Sequence, residues 1–106
     1  MNPELQQGSV WRIPTVGRER TVVVLTSSAV LPLHPGGVVC VPVQAVEDAL
    51  DTLVTVPITH PEPGVVMAPD ISSFRPERFE QGKLLGYLSE VDLERVKRAV
   101  RAVLDL

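Results

Sequence analysis

No apolar run in this sequence outlasts five residues before a polar residue, proline or glycine breaks it, and valine supplies much of each run. A β-branched side chain is stiff at χ1 and sits well on a pleated surface, so short valine runs favour strands over helices. Ten prolines and seven glycines lie between the runs and supply the turns that short strands need. A single helix crossing a bilayer takes about twenty apolar residues, so no membrane span is expected here. The stretch from Ser89 onward is the exception, because its apolar residues recur at helical spacing.

Reading along the chain, Gly8 to Ile13 alternates Val10 and Arg12 against Trp11 and Ile13, a first strand that Pro14 is expected to stop. A turn over Thr15 to Glu19 feeds Arg20 to Thr26, whose continuous apolar run predicts a strand covered on both faces. Ser27 to Gly37 reads as a loop. Val38 to Val43 is a third strand in which Pro42 predicts an edge position or a bulge. Gln44 to Leu50 fits a helical turn or a compact loop. Thr52 to Ile58 and Val65 to Ala68 follow as strands around the turn His60-Pro61-Glu62-Pro63-Gly64. Ser72 to Arg78 reads as a short helix capped by serine with proline in its first turn, and Leu84 to Leu88 as a last strand. Ser89 then caps one long helix. Its buried stripe is expected to be Leu93, Val96, Val100 and Val103 with Ala99 and Leu104 beside them, and Glu94 is expected to pair with Arg98. The fold class is mainly β with a C-terminal helix (α+β). Five to six short strands separated by proline and glycine turns, then one long helix, describe a small barrel or strongly bent sheet covered by that helix, with one or two short helices besides.

The 106 residues suit one domain, 1–106, with one modest core. Aromatic residues make up only 4% of the chain against 44% hydrophobic, so valine and leucine must build that core. The single cysteine, Cys40, rules out an internal disulfide, and its place in Val38-Val39-Cys40-Val41 reads as a buried small hydrophobe. The N-terminus has no basic and apolar leader pattern, so a cytoplasmic protein is expected. A net charge of −3 argues against non-specific coating of nucleic acid and leaves room for a local basic site. Arginine provides eight of the ten basic residues, which suits bidentate contacts to phosphate.

Metal and cofactor signals are weak. His34 and His60 sit in separate proline-containing turns without a ligand partner at metal spacing, so no metal is expected. Gly36-Gly37 lacks the context of a phosphate loop, and no cofactor is expected. Glu47, Asp48 and Asp51 read as a solvated acidic loop. Arg95, Lys97, Arg98 and Arg101 read as the wet side of the last helix.

The opening Gln7-Gly8-Ser9-Val10-Trp11, followed by Arg20-Thr21-Val22-Val23-Val24-Leu25, resembles the start of the MazF/PemK toxins of the Kid/CcdB superfamily. Gly37 to Val43 resembles that family's third strand. Ile71-Ser72-Ser73-Phe74, Arg78-Phe79, Gly86-Tyr87-Leu88-Ser89, Asp92-Leu93 and the segment Val100 to Leu106 resemble its short helix, last strand and C-terminal helix. Each motif alone is weak; their order and spacing over nearly the whole chain carry the resemblance. It implies a bent antiparallel sheet of SH3-like small-barrel type, and a homodimer that cleaves single-stranded RNA sequence-selectively and without metal. It also implies a cognate antitoxin protein as inhibitor.

What the resemblance implies for the site is specific. Arg20 matches the arginine heading the second strand, placed to hold the charge of a phosphorane. Gln44 stands where the family has serine or threonine, and Ser72 where PemK-type members have arginine. These departures predict weaker cleavage. Arg12, Arg18, Glu19, Asp70 and Ser73 are the candidate substrate-binding residues, with Glu19 or Asp70 as a source of the base. Two other readings share the fold. One is a non-cleaving CcdB-like binding toxin, disfavoured because this chain lacks that group's Trp-Gly-Ile tail and has Trp11 as its only tryptophan. The other is a degenerate toxin fold that acts through protein partners.

Overall fold

A computed structural model describes residues 3–33, 36–48 and 52–105. His34 and Asp51 lie outside them. Seven strands form one curled antiparallel sheet in the order β4-β5-β3-β2-β1-β7, with β6 pairing β3 off that path. The strands are β1 Ser9–Thr15, β2 Arg18–Val24, β3 Val38–Gln44, β4 Thr55–Ile58, β5 Gly64–Met67, β6 Ser72–Phe74 and β7 Lys83–Tyr87. Two helices complete the fold, a short α1 over Pro76–Glu80 and a long α2 over Glu90–Leu104. Three single turns of 3-10 helix, Leu31–Leu33, Val46–Asp48 and Ala68–Asp70, sit in the connections. No helix of the described residues is long and apolar enough to cross a membrane.

The expected class and architecture hold, but the strand borders differ, for local reasons. Pro14 does not stop β1, since the strand runs on to Thr15 opposite Arg18. The first turn shrinks to Val16-Gly17, where Gly17 takes φ +84°, a conformation that side-chain-bearing residues resist. Ser72 does not cap a helix: Ser72–Phe74 pairs with β3, and α1 starts after Arg75 with no side-chain cap. That extra pairing raises the count from the expected five or six strands to seven. The fourth strand begins at Thr55, not Thr52, and Pro57 lies inside it on an outer edge of the sheet.

Pro42 lies in a central strand, not at an edge. Leu25 N–H donates to the Val39 carbonyl at 2.8 Å, which makes Leu25–Val39, and by alternation Val23–Val41, hydrogen-bonded pairs. Val22–Pro42 is then a non-hydrogen-bonded pair, so the proline nitrogen faces away from β2. On that other side Pro42 falls between the residues bonded to β6, Val38 to Cys40, and those bonded to β5, Val43 and Gln44. The missing donor sits where the strand changes partner.

The central strands are covered on both faces, as the unbroken Val22-Val23-Val24 run predicts. Val10, Val23 and Val41 face one core with Val56, Val66 and the α2 residues Val96 and Ala99. Trp11, Ile13, Val22, Val24 and Cys40 face the other, closed by Leu5, Leu31 and Phe79. There the Trp11 and Phe79 rings meet edge to face at 5.6 Å, and the indole N–H donates to the buried Ser9 hydroxyl at 2.9 Å. Ser89 caps α2 as expected, its hydroxyl accepting from Asp92 N–H at 3.1 Å. The end of the expected stripe does not bury: Val103 and Leu104 are exposed. Glu94 pairs with Arg101 at 3.4 Å instead of Arg98, and Asp92 with Arg95 at 3.2 Å.

Candidate nucleic-acid site

Alternation along β2 puts Arg18, Arg20, Val22 and Val24 on one face of the sheet. Val22 and Val24 are buried in the Trp11 core, whereas Arg18 and Arg20 lie beyond its end and are exposed. Across from them, β3 follows β2 only as far as Val22–Pro42 and then turns to pair with β5. The two strands part at that point. A cleft of about 660 Å³ opens between them, with Arg18, Arg20 and Thr21 on one lip and Pro42 to Ala45 on the other. Asp70, Ile71 and Ser72 close it from the far side of β3. Pockets of a few hundred Å³ and up are the size that holds a small-molecule group or a nucleotide.

Five of the eight sequence-chosen residues therefore meet in one place: Arg18, Arg20, Gln44, Asp70 and Ser72. They come from three separate stretches of chain: β2, the end of β3, and residues 70–72. The other three do not line the cleft. Arg12 lies on the opposite face of β1 from Trp11 and Ile13 and forms an ion pair with Glu62 at 3.2 Å. Glu19 sits between the two arginines but on the other side of β2, opposite Pro14. Ser73 alternates away from Ser72 and stands against Gly37, where an added Cβ would come within 2.5 Å of its hydroxyl. Of the two carboxylates considered as a base, only Asp70 borders the cleft.

Among the described residues neither Arg18 nor Arg20 has an ion-pair or hydrogen-bond partner for its side chain. Arg12, Arg78, Arg95 and Arg101, by contrast, each have one. The Ser72 hydroxyl donates to the Asp70 carbonyl at 3.4 Å, a contact long enough to yield to a ligand. Gln44 is held by its strand, paired with Val65 of β5. The close approach depends on Gly64, where a Cβ would lie 2.5 Å from Val43 Cγ1 and 3.0 Å from the Gln44 carbonyl oxygen. The cleft residues Thr21, Pro42, Val43, Ala45 and Ile71 escaped the sequence reading, since only the parting of β2 from β3 makes them a lining.

Other candidates fall away. Burial pushes the Cys40 thiol up from 9.0 to about 12 and leaves it a non-nucleophilic core atom. His60 is exposed, and no group of three metal-ligating side chains occurs among the described residues. Trp11 is buried, so it offers no partner contact of the kind a CcdB-like reading would need.

Residues 6–104 match the model of the PemK-like, MazF-like toxins of type II toxin–antitoxin systems. The chain belongs to this family. Solved structures agree on the fold at low identity. A mycobacterial endoribonuclease bound to its cognate antitoxin superposes with a TM-score of 0.83 at 19% identity, covering 95% of each chain. The MazE–MazF complex of Deinococcus radiodurans gives 0.79 at 19% identity, again over 95% of each chain. Mycobacterium tuberculosis toxin MazF-mt6 gives 0.75 at 22% identity, over 92% of this chain and 97% of that one. No curated protein matches the toxin significantly by sequence.

Proposed function

We propose that this toxin is an endoribonuclease that cleaves single-stranded RNA in the cleft between β2 and β3, as a cytoplasmic homodimer restrained by a cognate antitoxin. One observation carries the reading. Two unpartnered arginines, an amide, a hydroxyl and a carboxylate from distant segments converge on one open cleft in a chain that is otherwise acidic. Two unpaired guanidiniums on one lip attract a polyanion to it.

Cleavage proceeds by attack of the RNA's own 2′-oxygen on the adjacent phosphorus, with loss of the 5′-oxygen of the next nucleotide. The products are a 2′,3′-cyclic phosphate and a 5′-hydroxyl end. Asp70 is the carboxylate in reach to take the 2′-proton. Arg20 faces the charge that builds on the equatorial oxygens, and Gln44 donates its amide N–H to one of them. Ser72 holds the departing oxygen by a hydrogen bond while that oxygen takes a proton from water, and Asp70 returns the 2′-proton to solvent. The requirement for a 2′-hydroxyl makes the site RNA-specific.

Dimerisation is supported by apolar side chains left in water. Leu53 is wholly exposed, and Val103 and Leu104 at the end of α2 are exposed as well. The first test is Arg20→Ala on a single-stranded RNA. Losing a donor aimed at transition-state charge costs about 100- to 1,000-fold in kcat. Arg20 is exposed, so the melting temperature should not move. Unchanged cleavage by the variant would remove Arg20 from the site.

A further inference from the structure

Arg18 has no counterpart in the chemistry just described, yet it stands on the same lip as Arg20. We propose that Arg18 is a second phosphate subsite, holding the phosphate that neighbours the one being cleaved, so that the RNA strand runs out of the cleft along β2 toward the Val16-Gly17 turn. The inference rests on the endoribonuclease reading and adds to it a direction and a second contact.

The spacing is the first support. Two residues apart on one strand face means about 6.8 Å between Cα atoms, close to the separation of successive phosphates in an extended single strand. A single phosphate shared by both guanidiniums would require both side chains to bend inward. Position along the strand is the second support. Both arginines line the cleft, and Arg18, the first residue of β2, stands nearer the Val16-Gly17 turn than Arg20 does. The backbone there is fixed: Arg18 pairs with Thr15, whose hydroxyl donates to the Arg18 carbonyl at 2.7 Å. Availability is the third. The Arg18 guanidinium is exposed and has no partner among the described residues, so phosphate need not displace a carboxylate, as it would at Arg12. A guanidinium presents a planar fork that matches phosphate oxygens bidentately.

The test uses single-stranded RNA oligonucleotides with one defined cut. Either the phosphate before or the phosphate after the cut is replaced by a neutral methylphosphonate. A charge-assisted contact at an exposed site predicts a loss of about tenfold in kcat/KM when the correct flanking phosphate is neutralised. Arg18→Ala on the unmodified RNA should show the same loss, carried by KM with kcat retained. On the RNA neutralised at that position the variant should lose nothing further, because the partner charge is already gone. Its slope of log affinity against log salt should shrink by about 0.7. If Arg18→Ala adds its full loss to both methylphosphonates, or lowers kcat as Arg20→Ala does, Arg18 contacts no flanking phosphate and the proposal falls while the nuclease reading stands. Should the wild type cut no RNA at all, the nuclease reading falls. Fluorescence anisotropy with 2′-O-methyl versions of the same oligonucleotides then decides the subsite by the same loss of additivity.

Discussion

Replacing Gly64 by alanine should damage the site from behind. The residue pairs with Ile58 on one side, and its face toward β3 has no room: the new Cβ would sit 2.5 Å from Val43 Cγ1 and 3.0 Å from the Gln44 carbonyl oxygen. Val43 can yield by turning about χ1, but the Gln44 carbonyl belongs to backbone paired with Val65, so relief means moving the end of β3. Overpacking of this kind costs about 1–3 kcal/mol. For a domain of this size each kcal/mol lowers Tm by about 4–8 °C, so a drop of about 4–24 °C is expected. Emission of Trp11, the only tryptophan and buried at 2% exposure, reports the transition. Activity should fall further than stability. A misplacement of about 1 Å at a reacting centre can cost about 100-fold, so cleavage at 25 °C should drop about 10- to 100-fold while the protein is still folded. Adding Val43→Ala removes the nearer clash, and Gly64→Ala should then be less destabilising than in the wild-type background. A Gly64→Ala protein with unchanged Tm and unchanged cleavage would refute the argument that Gly64 sets β5 against the strand that carries Gln44.

Phe79→Ala removes the ring that closes the second core against Trp11 and should cost about 3–5 kcal/mol, read by urea unfolding; a loss under 1 kcal/mol would mean the site collapses freely. Because burial raises the folded-state pKa of Cys40 to about 12 from 9.0, its neutral thiol supports the fold fully below pH 9, and that contribution is lost as pH rises from 9 through 12. Thermal melts across that window should show the decline, and Cys40→Ala should flatten it; equal slopes would remove Cys40 as the cause. Gln44→Thr restores a hydroxyl at the end of β3 and should raise RNA cleavage about 10- to 100-fold if one transition-state hydrogen bond is regained. No change would show that Gln44 already serves, or that it does not touch the reacting phosphate.

Period and punctuation made most of this fold legible. The Val22-Val23-Val24 run pointed to a strand buried on both faces, and Ser89 with its acidic first turn marked the start of α2. Proline was half legible. Pro14 does not stop β1, and the gap that Pro42 leaves in its ladder is real but falls in a central strand, where β3 exchanges β6 for β5, because sequence alone does not say which way a strand nitrogen points. Ser72-Ser73 before Pro76 looked like a helix cap, but pairing with Val39 and Cys40 outweighed that local signal. At the candidate site, Arg20 and Gln44 follow from the resemblance, while their convergence with Asp70 and Ser72 depends on β2 parting from β3. Glu19 and Ser73 show the limit of nearness in sequence, since each neighbours a cleft residue and alternation turns it away; Arg12 lies one strand further out, on β1, and pairs with Glu62.

The most direct test of the central claim sets one sequence as RNA against the same sequence as DNA, both single-stranded and both in excess EDTA. Attack by the 2′-oxygen under arginine and carboxylate side chains predicts cleavage of the RNA alone, leaving a 2′,3′-cyclic phosphate and a 5′-hydroxyl. Equal cleavage of the DNA, or cleavage that appears only when a divalent metal is restored, would contradict it.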